Sequence, residues 1–319
     1  MLRERPFTHI PDNYLSPATC AVMATAMAPV WTVAVRKISR EVSRTRIPLL
    51  GIGAAFSFLI MMFNVPLPGG TSGHAVGGTL LAVVLGPWSA CISITIALLI
   101  QSVMFGDGGI LSFAANSFNM AFVLPFLGYL IYRLVRDRIP GERGEYAGLA
   151  VGSYVGLSFA ALTAAIEFGL QPVLFKDAAG LPLYNPYPLS ITVPAMLVPH
   201  LAVAGIVEAV FSVGIFTFIR RVAPGMIQGG DRKRTKAVYA FLVGLICLSP
   251  IGLLAAGTAW GEWATLPAGM AKRFGFSGIL PGYAVNGLPG FVGYAVSAIA
   301  GAAVMIIVFK LVSLKRSRV

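Results

Sequence analysis

Long apolar runs separated by short polar ones set the pattern of this chain. Apolar stretches fall at 18–35, 47–65, 110–132, 146–170, 189–219, 237–257 and 291–309. Uncharged apolar runs of about 18 residues or more mark membrane-spanning helices. A further stretch, 75–105, is apolar too, but Gly86-Pro87 interrupts it. Proline breaks or kinks a helix interior, so 75–105 is one broken helix or two short ones. The segments between are turn-forming: Pro66-Leu-Pro-Gly-Gly-Thr-Ser-Gly-His74, Phe105-Gly-Asp-Gly-Gly109, and a Gly/Pro-rich stretch over about 258–290.

Basic residues choose between the two readings of 75–105. Arg36, Lys37, Arg40, Arg44 and Arg46 fill one inter-run loop, and Arg133, Arg136, Arg138 and Arg143 a second. Arg220, Arg221, Arg232, Lys233, Arg234 and Lys236 fill a third, and Lys310, Lys315, Arg316 and Arg318 end the chain. Cytoplasmic loops carry the excess of Lys and Arg. All four clusters share that side only if 75–105 crosses twice. The expectation is an all-α polytopic membrane bundle of about nine crossings, seven plus two, with the N-terminus outside and the C-terminus cytoplasmic. The first 17 residues hold Arg3, Glu4, Arg5, Asp12 and three prolines. They lack the apolar core of a signal peptide, so they are expected to persist as an external polar segment.

Composition agrees and excludes other classes. Of 319 residues, 57% are hydrophobic and 11% charged, with mean hydropathy +0.81. Soluble domains carry about 25% charged residues, so a soluble enzyme and a nucleic-acid-binding module are set aside. The net charge of +12 is then a topology signal rather than a nucleic-acid footprint. Cys20, Cys91 and Cys247 form no paired pattern, which argues against a disulfide framework or thiolate metal site.

Three histidines remain: His9, His74 and His200. The topology puts His9 and His74 outside and His200 about a third of the way into the seventh crossing. Imidazole is the common ligand for Zn, Cu, Ni and Co. The alternative is that each histidine only satisfies a local hydrogen bond. Too few carboxylates gather outside for an oxygen-only Mg or Ca site. Glu167 and Glu208 lie within crossings, where an ionisable group is a functional candidate. Glu167 reads as interfacial, and Glu208 as a structural or coupling residue. Asn116 and Asn119 share a helix face and suit a loop-holding or second-layer role, as does Asp12. Ala24 and Ala28 stand in small-xxx-small spacing, for internal packing or docking on another membrane protein. No GxxxxGK[ST] run is present, so ATP hydrolysis would fall to a partner.

Several segments together resemble one family. His9-Ile-Pro-Asp-Asn-Tyr-Leu-Ser-Pro17 is similar to the N-terminal signature MHIPDGYLSP of the substrate-binding components of cobalt/nickel energy-coupling-factor (ECF) transporters, the CbiM/NikM family. Gly70-Thr-Ser-Gly-His-Ala-Val-Gly-Gly78, Phe105-Gly-Asp-Gly-Gly-Ile110, Ala115-Asn-Ser-Phe-Asn-Met120 and Pro199-His-Leu201 with Glu208-Ala209 resemble its later patterns. The C-terminal region resembles the small CbiN/NikN subunit: two spans, 237–257 and 291–309, joined by an external loop with Trp260-Gly-Glu-Trp263 at its start.

The resemblance implies an external metal-binding segment over 1–17, a seven-helix bundle over 18–222, and a two-helix part over 237–319 with its loop at 258–290. It implies a non-catalytic subunit of a prokaryotic inner membrane that holds Ni2+ or Co2+ as cargo and needs no cofactor. Its partners would be a CbiQ/NikQ-like coupling subunit, CbiO/NikO-like ATPases and membrane lipid, with no nucleic acid. The metal ligands it implies are a terminal amine, the amide and imidazole of the following histidine, and a second histidine. His9 and His74 match those histidines. Thr8 stands where the family has its initiator methionine, and seven residues precede it. Cleavage after Phe7 would give Thr8 the amine; otherwise the site has an ordinary amide, and His200 could contribute. Asn13 replaces a family glycine, a change tolerable at positive φ. A stand-alone secondary transporter or channel for a divalent cation is the alternative, and an intramembrane enzyme a remoter one.

Overall fold

The computed structural model describes residues 9–67, 71–222, 235–254 and 274–315. Thr8, Trp260, Glu262, Trp263, the greater part of the 258–290 loop, and basic residues Arg232, Lys233, Arg234, Arg316 and Arg318 lie outside these.

The architecture is an all-α polytopic bundle with one small hairpin. Its helices are α1 (Pro17–Glu41), α2 (Ile47–Met61), α3 (Gly78–Leu85), α4 (Pro87–Phe105), α5 (Phe113–Arg136), α6 (Glu142–Leu174), α7 (Leu189–Val222), α8 (Thr235–Leu248) and α9 (Gly290–Lys315). Strands β1 (Val65–Leu67) and β2 (Thr71–Gly73) pair antiparallel between α2 and α3. Ser16 caps α1, its Oγ accepting the Thr19 N–H at 3.0 Å, and Pro17 follows in the first turn, where its missing N–H costs nothing.

Seven described helices are long and apolar enough to cross a membrane. The other two expected crossings fall on shorter pieces. A shorter apolar helix covers Val238–Leu253. The stretch 75–105 is two helices, α3 and α4, parted at Gly86 as the charge clusters predict, and the first of them is short. At about 1.5 Å per residue, the eight residues of α3 reach about 12 Å, well short of a core about 30 Å thick. The non-helical segment 74–77 precedes it. Such backbone is tolerated within a membrane bundle where the protein satisfies it. The Glu208 carboxylate accepts the Val76 N–H at 2.7 Å and the Gly77 N–H at 2.9 Å, and Ser57 Oγ donates to the Val76 carbonyl at 2.8 Å.

Helix α2 is the axle of the molecule. It is apolar on every side, and Phe58, Leu59 and Met61 are wholly buried, as expected of a helix surrounded by others. Helix α9 lies against it closely enough that a Cβ on Gly51 would sit 2.9 Å from Phe309 Cβ. Helices α5 and α6 approach through small residues. A Cβ on Gly148 would lie 2.7 Å from the Tyr132 carbonyl, and one on Gly156 2.9 Å from the Leu124 carbonyl. By contrast α1 packs on one side only, and Ala24 and Ala28 are exposed.

The basic helix ends gather at one end of the bundle. Arg220 of α7 pairs with Glu142, at 2.8 Å, and with Glu145 of α6. Ser313 of α9 donates to the Arg44 carbonyl at 3.1 Å, and Lys37 of α1 stands over the Trp88 ring of α4 at 5.8 Å. The histidines lie towards the opposite end.

Candidate metal site

The N-terminal segment folds back into the bundle mouth. Ile10, Tyr14 and Leu15 are 6%, 1% and 3% exposed and pack with Cys20, Ala115, Ala164 and Phe168. Burying each such side chain is worth about 1.5–3 kcal/mol. Polar clamps set the register. Asn116 grips both sides of Ile10, its Oδ1 accepting the N–H at 3.0 Å and its Nδ2 donating to the carbonyl at 3.0 Å. The Asp12 carboxylate accepts the Ile110 and Leu111 N–H groups at 3.1 and 2.9 Å, on the turn that leads into α5. Burial pushes the Asp12 carboxyl above the ordinary carboxylate range, against the pull of those N–H donors. Gln171 Oε1 accepts the Ser16 N–H at 2.9 Å. Asn13 does adopt positive φ, 77°, and is tied to Phe274 by two bonds of 2.8 and 2.9 Å.

His9 is thereby delivered to His74. Their ring centroids are 5.0 Å apart and the rings are perpendicular. His9 is 3% exposed. Its Nε2 lies 3.2 Å from Gln101 Oε1, and its Nδ1 is buried without a hydrogen-bond partner among the described residues. A bare buried imidazole nitrogen is costly unless something binds it. His74 leads out of β2 into the turn that Glu208 clamps. Gly77 in that turn has φ +70° and backs onto Phe56, so a larger residue would be excluded twice. Gly108, at φ +86°, holds the other flank, where a Cβ would come 3.0 Å from His9 Cβ.

The two histidines open onto a cleft of about 80 Å³, whose polar lining is His9, His74, Asn116, Asn119 and His200, with Met120 and Met196 among the apolar walls. That suits a small ion with few waters rather than an organic solute. The sequence places His200 in a crossing; the fold brings it to the same cleft. Its Nδ1 is 2.7 Å from the Met196 carbonyl, which can only accept, so Nε2 keeps the lone pair. His74 Nδ1 faces the Ala75 carbonyl at 3.3 Å with the same consequence. Among the described residues, no group of three or more His, Cys, Asp or Glu forms a metal cluster. A donor set therefore draws on the two adjacent imidazoles and on donors outside that class. Thr8, whose amine or amide would be one, lies outside the described residues.

The acidic residues of the crossings take definite places. Glu167, expected at the interface, is 8% exposed and accepts from Asn119 Nδ2 at 3.1 Å. Helix α6 runs on to Leu174, which leaves Glu167 two turns from its end. Glu208 is wholly buried and holds backbone. Gln101, Tyr283, Gln171 and Ser112 carry hydrogen bonds around the N-terminal segment that the sequence did not single out. Gln101, Asn119 and His200 each sit in a widened turn of helix, at Gln101–Phe105, Phe118–Val123 and His200–Ala204. Such π-type turns recur at functional sites.

Comparison with known proteins points to one family. Residues 9–226 match the family described as "CbiM: Cobalt uptake substrate-specific transmembrane region". The chain is 51% identical to the "Probable fused nickel transport protein LarMN" of Lactiplantibacillus plantarum, over 95% of this chain and 96% of that one. It is 47% identical to the "Fused nickel transport protein NikMN" of Rhodobacter capsulatus, over 88% and 83%. A crystal structure of a truncated transition metal transporter superposes with TM-score 0.64 at 55% identity, covering 67% of this chain and 98% of that one.

Proposed function

This chain belongs to the CbiM family, and from that premise we propose that it is the substrate-binding membrane subunit of an ECF-type importer of Ni2+ or Co2+. The observation that carries the proposal is the pair of perpendicular imidazoles 5.0 Å apart, with His9 lining a small cleft and its Nδ1 buried without a partner among the described residues. Among the described residues the polar lining of the cleft is imidazoles and amides, with no carboxylate, a donor set suited to a late first-row divalent ion rather than Mg2+ or Ca2+. Nickel is favoured over cobalt by the two fused relatives, both named as nickel transport proteins.

The roles follow from position. His9 and His74 bind the cargo from the external side, and Thr8 supplies the amine if cleavage follows Phe7. Asn116 and Asp12 hold the N-terminal segment in place, Asn119 lines the cleft, and His200 stands at its wall. Glu208 fixes the turn that presents His74. The chain does no catalysis itself. A coupling subunit and ATPase subunits of the CbiQ/NikQ and CbiO/NikO kinds would drive delivery in a prokaryotic inner membrane. The exposed face of α1, with Ala24 and Ala28, suits close approach by such a helix.

The test is uptake of radioactive Ni2+ and Co2+ in cells lacking their own importers. The chain is expressed alone, and with candidate coupling and ATPase subunits. Uptake that needs the partners and an active ATPase supports the ECF reading. Partner-independent uptake, driven by the ion or proton gradient, would instead establish a secondary transporter.

A further inference from the structure

We infer that a directed chain of hydrogen bonds, Asp107–Tyr283–Gln101, sets the tautomer of His9 and so selects Nδ1 as its metal donor. Tyr283 and Asp107 are then positioning residues of the metal site. This rests on the reading of His9 as a ligand.

The direction follows from chemistry rather than from assigned hydrogens. An ionised carboxylate only accepts, so the Tyr283 hydroxyl, 2.6 Å from Asp107 Oδ2, donates to it. The hydroxyl's proton is thereby used. What faces it from Gln101, at 3.1 Å, must be a donor, the side-chain NH2. That turns Gln101 Oε1 towards His9 Nε2, 3.2 Å away. An amide oxygen only accepts, so Nε2 bears the proton. A neutral imidazole with its proton on Nε2 has its lone pair on Nδ1, and Nδ1 is the buried atom with no partner among the described residues. Four groups thus agree on one proton arrangement, and it leaves the Nδ1 lone pair available. Histidine ligands are commonly oriented in this way through their second nitrogen.

The chain spans two parts of the molecule. His9, Gln101 and Asp107 belong to the first, and Tyr283 comes from the segment before α9. Tyr283 is held firmly. Its ring stacks on Phe105, with centroids 4.6 Å apart, and its carbonyl accepts from Ser297 at 3.1 Å. Its φ is +60°, a left-handed conformation that a bulky residue adopts only when its surroundings impose it. Leu280 N–H also donates to the Met104 carbonyl at 2.6 Å, fastening this segment to the Gln101–Phe105 turn. Burial and the neighbouring Asp107 push the Tyr283 phenol well above its ordinary range, so it keeps its proton. Docking of the C-terminal part and readiness of His9 are therefore linked.

The experiment uses the full chain in detergent, metal-free, with ring-15N histidine; the His9→Ala variant identifies the His9 resonances. Native His9 is expected to show a pyridine-type Nδ1 and a pyrrole-type Nε2. Tyr283→Phe keeps the stacked ring and removes the hydroxyl. It is expected to mix the tautomers and lower Ni2+ affinity about 10–100-fold. Asp107→Asn, nearly isosteric, lets the chain run in reverse and is expected to do the same, which covers failure of the first variant to fold. A proton on native Nδ1, or native tautomer and affinity in both variants, would overturn the inference while leaving the metal site standing. Unchanged Ni2+ binding in His9→Ala would overturn the metal-site reading and this inference with it.

Discussion

Asn116 shows how a single side chain governs the site from outside it. It pairs with both the N–H and the carbonyl of Ile10, the residue next to His9. The carbonyl has other donors, Gly109 N–H and Ser112 Oγ, but Asn116→Ala strands the N–H in a buried place. Such a loss costs about 1–3 kcal/mol. Titration of the variant with Ni2+ is expected to show affinity lowered by about tenfold or more, at unchanged stoichiometry; native affinity would remove Asn116 from the argument. At this level the sequence was informative where side chains sit in distinctive local strings. His9, His74, Asp12 and Asn116 all occur in such strings, and the fold gathers them. Gln101 and Tyr283 carried no such mark. A single uncharged polar residue in an apolar helix, or a tyrosine in a Gly/Pro-rich loop, has neither periodicity nor charge to separate it from its neighbours. His200 was visible only as a lone histidine, because its place at the cleft depends on how α7 leans on α6.

The segment 74–77 with α3 and the close contact of α5 with α6 decide the geometry between elements. Glu208 receives two backbone N–H groups from the turn after His74. Glu208→Gln replaces one accepting oxygen with an NH2 that meets an N–H head on. Hydrogen bonds to a charged acceptor contribute about 1.5–3 kcal/mol. The variant is expected to unfold at lower temperature in detergent and to bind Ni2+ more weakly, because His74 loses its support. Lowered Tm with native affinity would confine Glu208 to folding. At the other contact, Gly148→Ala would push a methyl to 2.7 Å from the Tyr132 carbonyl. Overpacking of that kind costs about 1–3 kcal/mol, and a lowered Tm in a thermal melt is the expected outcome. Run lengths and charge clusters located nearly every long helix. They could not show that the piece before Gly86 opens with a non-helical turn at 74–77, since an apolar turn and an apolar helix have the same composition. What satisfies that turn is a carboxylate 131 residues further on.

The bundle as a unit has a basic end and a histidine end, and its C-terminal part closes over the N-terminal segment through Asn13–Phe274 and Tyr283. Charge alone gave the sidedness, because Lys and Arg loops sort by side irrespective of packing detail. The closure could not be read the same way, since it joins residues 261 positions apart through uncharged groups. On the proposed reading the metal meets the protein from outside, in a cleft lined by residues between His9 and His200, with the C-terminal part held close by through Tyr283 and Asp107.

The direct test of that picture is Ni2+ titration of the purified full chain beside His9→Ala and His74→Ala, with intact mass measured on the same samples. One ion per chain, lost or weakened at least a hundredfold in both variants, is the expected result. A mass lacking residues 1–7 would add that Thr8 supplies its amine. Tight stoichiometric binding that survives both substitutions would mean that the paired imidazoles do not hold the ion, and that the metal enters the bundle elsewhere.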